Sequence, residues 1–321
     1  MDAISDPAVD DVIVMKSAQI GWTEIIGNVV GYHVDQDPAP LLVIQPTLQM
    51  GEAWSKDRLA PMLRDTPVLR GKVKDPRARD SGNTILHKSF PGGQISIAGA
   101  NSPAGLASRP IRIVLCDEVD RYPPSAGKEG DPINLARKRA ATFWNRKFLA
   151  GSTPTIKGAS RIEALYEESD QRRYHVPCPD CGHKQPLKWS NVIWPKNDDG
   201  KHEPAKAEYM CSECGSLWDD AARWEAIPKG EWVAAKPFNG IAGFHLNEIY
   251  SPWTKLGDMA ATFLESNKLP ETMQTFANTA LGETFELLGA TLSPDPLYNR
   301  REVYGGTVPE PVVLITAGLD T

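Results

Sequence analysis

The 321-residue sequence predicts an α/β fold, a mostly parallel sheet flanked by helices and interrupted by a small cysteine-rich insert. Two observations carry this expectation. Short apolar runs of strand length alternate with helical segments over the first 150 residues, the pattern of strands buried on both faces. From about residue 177 to 224 the composition shifts to Cys, Trp, Lys and Asp with little aliphatic periodicity. A chain of this length supports roughly two domains and a sizeable core.

The elements follow in order. Val12-Ile13-Val14-Met15 reads as a buried strand ending in a turn, and residues 25–34 continue after Thr23 as a helix. Leu41-Leu42-Val43-Ile44 is a second buried strand, stopped by Pro46. Residues 52–63 read as a helix with Trp54, Leu59 and Leu63 as core positions. A hairpin pairs 84–88 with 94–98 across Pro91-Gly92-Gly93. Residues 111–116 form a third buried strand, 134–144 a helix and 147–150 a fourth strand. Strand character resumes at 243–246, and helices are expected near 254–266 and 270–281. Residues 291–311 carry four prolines and Gly305-Gly306 and read as a linker. A new strand opens at Val312. The expected division is 1–176 for the core, 177–224 for the insert, 225–290 for the remainder of the core, and 291–321 for linker and new strand.

The formal net charge of −6 argues against a protein that coats nucleic acid with a globally basic surface, but leaves room for a local basic grip. No apolar run approaches the ~18 residues of a membrane helix. The segment 1–6 lacks the basic and apolar regions of a secretory signal, so a cytosolic setting is expected.

The chemistry-bearing signals start at the first strand. The phosphate-binding loop pattern G-x-x-x-x-G-K-[ST] can be laid on Lys16-Ser17-Ala18-Gln19-Ile20-Gly21-Trp22-Thr23. Gly21 and Thr23 match; Trp22 stands at the lysine position and Lys16 at the first glycine. A lysine at the loop's opening can fold back over the β- and γ-phosphates, because it is long and acts as a point charge. Thr23 is the expected Mg²⁺ ligand, and Gly21 lets the backbone approach the ligand. Some ninety residues later, the strand Ile111-Arg112-Ile113-Val114-Leu115-Cys116-Asp117-Glu118 delivers two carboxylates at its carboxyl end, where open α/β sheets bind ligands. Asp117 is expected on Mg²⁺, and Glu118 to orient or deprotonate an attacking water. The strand 148–151 ends in Ser152-Thr153, small hydroxyl groups suited to a place beside a γ-phosphate. Together these predict a P-loop NTPase fold of the RecA/ASCE type.

Cys178-Pro179-Asp180-Cys181-Gly182 and Cys211-Ser212-Glu213-Cys214-Gly215 are near-identical knuckles separated by 29 residues, 182 through 210. The duplicated C-x-x-C-G predicts a zinc ribbon. Four thiolates close a tetrahedron with no open position, so the Zn²⁺ is expected to be structural, with no need for His175, His183 or His202. Trp189, Trp194, Trp218 and Trp224 are expected to form a small core around it. Cys116 reads as a plain core residue.

The loop 16–24, Leu115-Cys116-Asp117-Glu118-Val119-Asp120 and Gly151-Ser152-Thr153-Pro154-Thr155 together resemble the large terminase subunit of tailed phages, the lambda-type or GpA family. Phe276-Ala277-Asn278-Thr279-Ala280-Leu281-Gly282-Glu283 resembles the stretch between that family's motor and nuclease. The resemblance implies an ATP-hydrolysing motor, with Mg²⁺, that pumps double-stranded DNA into a procapsid. By it, Lys16, Ser17, Ala18, Gln19, Gly21, Trp22 and Thr23 line the nucleotide, Asp117 holds magnesium, Glu118 is catalytic, and Ser152 and Thr153 couple hydrolysis to movement. The partners it implies are DNA, the terminase small subunit, the portal of the procapsid and neighbouring copies in a ring. The setting it implies is the host cytoplasm, docked at the portal. Two departures stand out. Only about a dozen residues precede the loop, where family members carry an adenine-contacting region. Of the nuclease, only the opening strand is present, with Asp320 matching its first metal-binding aspartate, so no nuclease activity is expected.

Arg137, Lys138, Arg139, Arg146 and Lys147 form a basic cluster, either a solvated helix face or the source of an arginine finger, for which Arg139 is the choice. Arg70, Lys72, Lys74, Arg77 and Arg79 fit DNA contact or a surface loop equally. Two rival functions share the motifs. A superfamily-2-like helicase or repair ATPase requires a second RecA-like lobe, and none is read after residue 225. An inactive ATPase scaffold carrying a zinc-ribbon binding module would explain the displaced lysine.

Overall fold

The computed structural model describes residues 1–74, 83–107 and 109–286. Among the described residues thirteen strands follow in chain order: β1 Asp11–Lys16, β2 Pro40–Gln45, β3 His87–Phe90, β4 Gly93–Gly99, β5 Ile113–Asp117, β6 Lys147–Ser152, β7 Arg172–Pro177, β8 Lys184–Pro186, β9 Val192–Ile193, β10 Glu208–Met210, β11 Leu217–Trp218, β12 Glu231–Val233 and β13 Ile241–Leu246. The main sheet runs β12-β7-β13-β1-β6-β5-β2-β4-β3, with β8 also on β7. Every pair from β7 through β13, β1, β6, β5 and β2 to β4 is parallel. Only the margins are antiparallel: β12 and β8 on β7, and β3 on β4. The mixed α/β, mostly parallel architecture expected from the sequence is therefore present.

The apolar runs are continuous because both faces of the sheet are covered. Along β2, Leu41 and Val43 enter one core cluster while Leu42 and Ile44 enter the other; along β5, Ile113 and Leu115 alternate with Val114 and Cys116 in the same way. The helix Trp22–Asp35 lays Ile26, Val29 and Val30 on the first face, and Ile133, Ala136, Ile162 and Tyr166 cover the second. Each fully buried Leu, Ile or Val contributes roughly 1.5–3 kcal/mol.

Three elements depart from expectation. The segment read as one helix over 52–63 is Leu48–Trp54, a π-type stretch Ser55–Leu59, then Ala60–Asp65. Pro61 has no N–H to give to the preceding turn, so the regular ladder cannot run through it. The helix expected over 134–144 is Pro132–Arg139, capped by the Asp131 side chain on the Asn134 amide. Its last turn is Arg137-Lys138-Arg139, charges that favour a C-terminus. Past it, Trp144 is 88% exposed, so no apolar face holds a further turn. Trp189, Trp194 and Trp218 share one core cluster, but it reaches beyond the insert to Leu256, Phe263 and Phe276 and does not include Trp224. Trp218 packs on Tyr209 with ring centroids 5.0 Å apart, whereas Trp189 meets Phe263 and Phe276 at 5.4 and 5.2 Å, on helices Leu256–Ser266 and Pro270–Phe276.

The insert's three-stranded sheet, β11-β10-β9, thus shares a core cluster with downstream helices. The chain returns from it to lay β13 against β1 in the middle of the main sheet. The linker 291–311, the strand from Val312, Asp320, Arg77 and Arg79 lie outside the described residues.

Candidate functional site

β1 ends at Lys16, and the chain turns through 17–21 into the helix Trp22–Asp35. Two residues of that turn are left-handed, Gln19 at φ +54° and Gly21 at φ +88°. Gly21 is the helix N-cap and offers no side-chain cap, so the first-turn N–H groups have no side-chain partner there. This turn and the start of the helix line a cleft of about 590 Å³, which Glu118, Arg121 and Thr153 border from neighbouring strand ends. A helix N-terminus facing a polar cleft suits an anion.

Trp22 occupies a different place from the lysine of the usual pattern. Its side chain is buried, and a Cβ on Gly151 of β6 would lie 2.2 Å from the indole. It therefore packs the core beneath the loop, with its Nε1 unpartnered. Ser17 is fully buried; its amide donates to Leu246 O at 2.8 Å and its hydroxyl has no partner. The Ala18 amide donates to Thr279 O at 2.7 Å.

Lys16 is buried, and its Nζ donates to Glu118 Oε1 at 2.9 Å across 102 residues of sequence. No phosphate-directed pose is seen: lysine and glutamate neutralise each other. Glu118 sits at φ +52°, a left-handed conformation that costs a non-glycine residue of order 1 kcal/mol, with its amide held by Gly151 O at 2.8 Å. Its other oxygen, Oε2, accepts from Thr153 Oγ1 at 3.3 Å and lies 3.8 Å from Arg121 Nε. Ser152 supports this arrangement, donating to Thr153 O at 2.7 Å and accepting the Asp120 amide at 3.3 Å.

Asp117 ends β5 almost wholly buried, and burial pushes its carboxyl above the usual range, against a hydrogen bond from Gln45 Nε2 at 3.0 Å. A carboxylate that burial drives toward its neutral form is held ionised by a cation beside it, and the Lys16 charge already acts on Asp117 in that sense. Thr23 lines the cleft, and a hydroxyl and a carboxylate are oxygen donors of the type that suits Mg²⁺.

Arg139 is placed elsewhere. Its carbonyl accepts the Ile111 amide, at the amino end of β5, while the cleft lies at the carboxyl end. Several strand residues at roughly 3.3 Å each separate the two, so Arg139 does not reach this chain's own cleft. The arginines that do line it are Arg121 and Arg58, and sequence reasoning passed over both. Arg121 stood three residues after Glu118 and could have been noticed; Arg58, paired with Glu24 at 3.3 Å, carried no local signal. Gln45 and Thr279 were missed for the same reason.

The four cysteines converge. Their sulfurs all lie within 4.8 Å of one another, with Cys178–Cys214 at 3.8 Å and Cys181–Cys211 at 3.9 Å. A tetrahedral zinc with bonds of ~2.3 Å sets its sulfurs ~3.8 Å apart, so the cluster fits that ion. The two turns are built alike. Cys178 and Cys211 amides donate to His183 O and Ser216 O at 2.8 and 2.9 Å, while Gly182 and Gly215 stand at φ +74° and +73°. Gln185 Nε2 points at the Cys211 sulfur at 3.2 Å. Cys116 is buried on β5, its thiol pushed up to about 12 by burial.

The family described as the phage terminase large subunit gpA, ATPase domain, matches residues 1–232, and the endonuclease domain of the same subunit matches 241–321. The second match begins at β13, the strand that pairs with β1. The chain is similar to the large terminase subunit of Enterobacteria phage P21 at 29% identity, over all of this chain and 53% of the relative. It is 27% identical to that of Escherichia phage lambda over the same shares. It thus spans about half the length of the curated relatives it matches. Among solved structures, the large terminase ATPase domain of Thermus phage P74-26 aligns over 85% of this chain and 88% of its own, at 13% identity and a TM-score of 0.47. Because the two domains match nearly end to end, the chain belongs to the phage terminase large subunit gpA family.

Proposed function

We propose that this chain is the ATP-hydrolysing motor part of a DNA-packaging terminase, moving double-stranded DNA into a procapsid. The observation that carries the reading is the convergence of Lys16, Glu118 and Thr153 at the mouth of a cleft floored by a helix N-terminus. The loop 16–23 acts as the P-loop, with its Walker lysine at position 16. Thr23 and Asp117 are the residues that would hold Mg²⁺, an ion that when bound offsets the charge of the β- and γ-phosphates.

The Lys16 ammonium pairs with Glu118 at 2.9 Å. When Lys16 turns to the phosphates, Glu118 is freed to orient a water and take its proton, while Thr153 still holds the second carboxylate oxygen. Ser152 and Thr153 join the carboxylate to β6, a path by which the state of the γ-phosphate reaches the rest of the motor. Arg121 is the arginine of this chain next to Glu118; Arg139 acts as a finger only toward a neighbouring copy in a ring. The cysteine cluster is a closed structural Zn²⁺ ribbon over 177–224, and the motor core comprises 1–176 and 225–290. The partners are duplex DNA, the small terminase subunit and the portal, met in the host cytoplasm.

ATP binding and single-turnover hydrolysis test this reading. Glu118→Gln is expected to keep Mg²⁺-dependent ATP binding and to lose hydrolysis by about a hundred-fold or more. Hydrolysis at the wild-type rate would remove Glu118 from the mechanism. Lys16→Ala is expected to weaken ATP binding itself.

A further inference from the structure

The cleft does not end at the phosphate loop. An apolar hollow of about 260 Å³ adjoins it, walled by Tyr174, Trp232, Tyr250 and Pro252, and both cavities are lined by Ile20 and Trp253. One space is polar and the other apolar and aromatic, and they meet at these two side chains. A nucleotide has the same division, with charged phosphates at one end and a flat base with a π face at the other.

Trp253 is 75% exposed and stacks on no other aromatic ring among the described residues. Single exposed tryptophans are unremarkable by themselves. Trp144 is more exposed, at 88%, yet it lines none of the cavities described above. Trp253 differs in what holds it. Arg223, fully buried in the helix Asp220–Ala226, donates to the carbonyls of Ile249, Ser251 and Thr254, the last at 2.7 Å, and pairs with Asp220 at 2.8 Å. Trp224 Nε1 adds a bond to Ser251 O at 3.2 Å, and the Trp253 amide donates to Ser251 Oγ at 3.2 Å. An exposed ring on a clamped backbone is presented to a ligand without further ordering of the chain.

The strand order gives the direction. Across the sheet β13, β1, β6 and β5 are successive neighbours, so the loop after β13, which carries Trp253, flanks the phosphate loop on the side away from Glu118. The γ-phosphate belongs next to Glu118, and the base is the far end of the molecule.

We propose that Ile20 and Trp253 hold the base of the bound nucleotide, the indole of Trp253 serving as its stacking face, and that Arg223 is the positioning residue for that platform. This rests on the nucleotide reading above. It also gives the cysteine insert a second task, since the helix carrying Arg223 follows directly on β11.

Equilibrium binding of ATP and of inorganic triphosphate, both with Mg²⁺, separates the two ideas. Trp253→Ala is expected to weaken ATP about ten- to hundred-fold and to leave triphosphate within about twofold of wild type; Trp253→Phe keeps ATP within a few-fold. ATP affinity unchanged in Trp253→Ala, a parallel fall for ATP and triphosphate, or a phenylalanine variant as weak as alanine overturns the base platform. A wild-type chain that binds neither ligand overturns the nucleotide reading, and the platform with it.

Discussion

At the cysteine cluster, every sulfur comes from one of two short turns, 178–183 and 211–216, each closed by its own backbone hydrogen bonds and a left-handed glycine. At the cleft, the groups arrive from four strands: Lys16 on β1, Gln45 on β2, Asp117 and Glu118 at the end of β5, Thr153 after β6. The first site has matched ligands with nothing left to rearrange, which suits a structural ion. The second pairs a lysine with a glutamate, two groups that the proposed mechanism requires to part. A site built from local turns can be rigid and closed; one built from several strand ends can be poised, because its groups are set by the sheet and remain free to exchange partners.

The largest expected effect falls on the rigid site. Cys181→Ser should cut bound zinc well below one per chain and cost several kcal/mol, seen as lost hydrogen-exchange protection around Tyr209 and Trp218. Unchanged metal content would dissolve the contrast. Next comes the residue that links the two regions. Arg223→Met takes the donor from the Ile249 and Thr254 carbonyls, leaves Ser251 O to Trp224 alone, and should cost about 3–5 kcal/mol in denaturant titrations, while also weakening ATP through Trp253.

A third test concerns pH. His245, packed on β13, donates Nε2–H to Gly282 O at 3.1 Å, and burial, aided by the Arg173 charge, lowers it to about 4 from 6.5. The unfolded chain takes up a proton that the folded chain refuses. This contribution is therefore complete above pH 6.5 and fades as pH falls from there toward 4, by roughly 3 kcal/mol. His245→Gln should flatten that slope in acid-denaturation curves.

The smallest effect probes the poised site. Asn278 Nδ2 donates to Thr155 O at 2.7 Å and to Glu283 O at 2.9 Å, beside the Thr279 carbonyl that holds the Ala18 amide. The π-type turn Ala277–Leu281 thus ties the loop after β1 to the loop after β6. Asn278→Ala should cost about 1–3 kcal/mol of stability and lower the hydrolysis rate by more than it lowers ATP affinity. Equal losses in both would make the turn a scaffold only.

Much of this was legible in the residues. The alternating apolar strands foretold a parallel sheet because a strand buried on both faces must be apolar throughout, and β1, β2, β5 and β6 all obey. The two knuckles foretold the cysteine cluster because their geometry is closed within six residues each. The acidic pair at the end of β5 and the glycine-threonine turn after β1 foretold where the cleft would lie. Legibility failed where a partner is distant in sequence. Nothing near Trp22 announces that its ring fills the space over Gly151, and nothing near Lys16 announces Glu118 as its partner. Arg139 looked like a finger because it is basic and follows the acidic strand, but the helix that bears it runs back to the strand's amino end.

The sequence by itself therefore determined that β1, β2, β5, β6 and β13 become strands, though not β7 to β12, and which turns hold cysteines and which carboxylates stand at a strand end, since these follow from local periodicity and backbone conformation. Only the tertiary structure decided that β13 returns to lie beside β1, that Lys16 is paired with Glu118, and that Arg223 binds the backbone carbonyls on either side of Trp253. Those are choices of neighbour. Neighbours are selected by burial and hydrogen bonding across the whole sheet, for which no short stretch of residues contains the information.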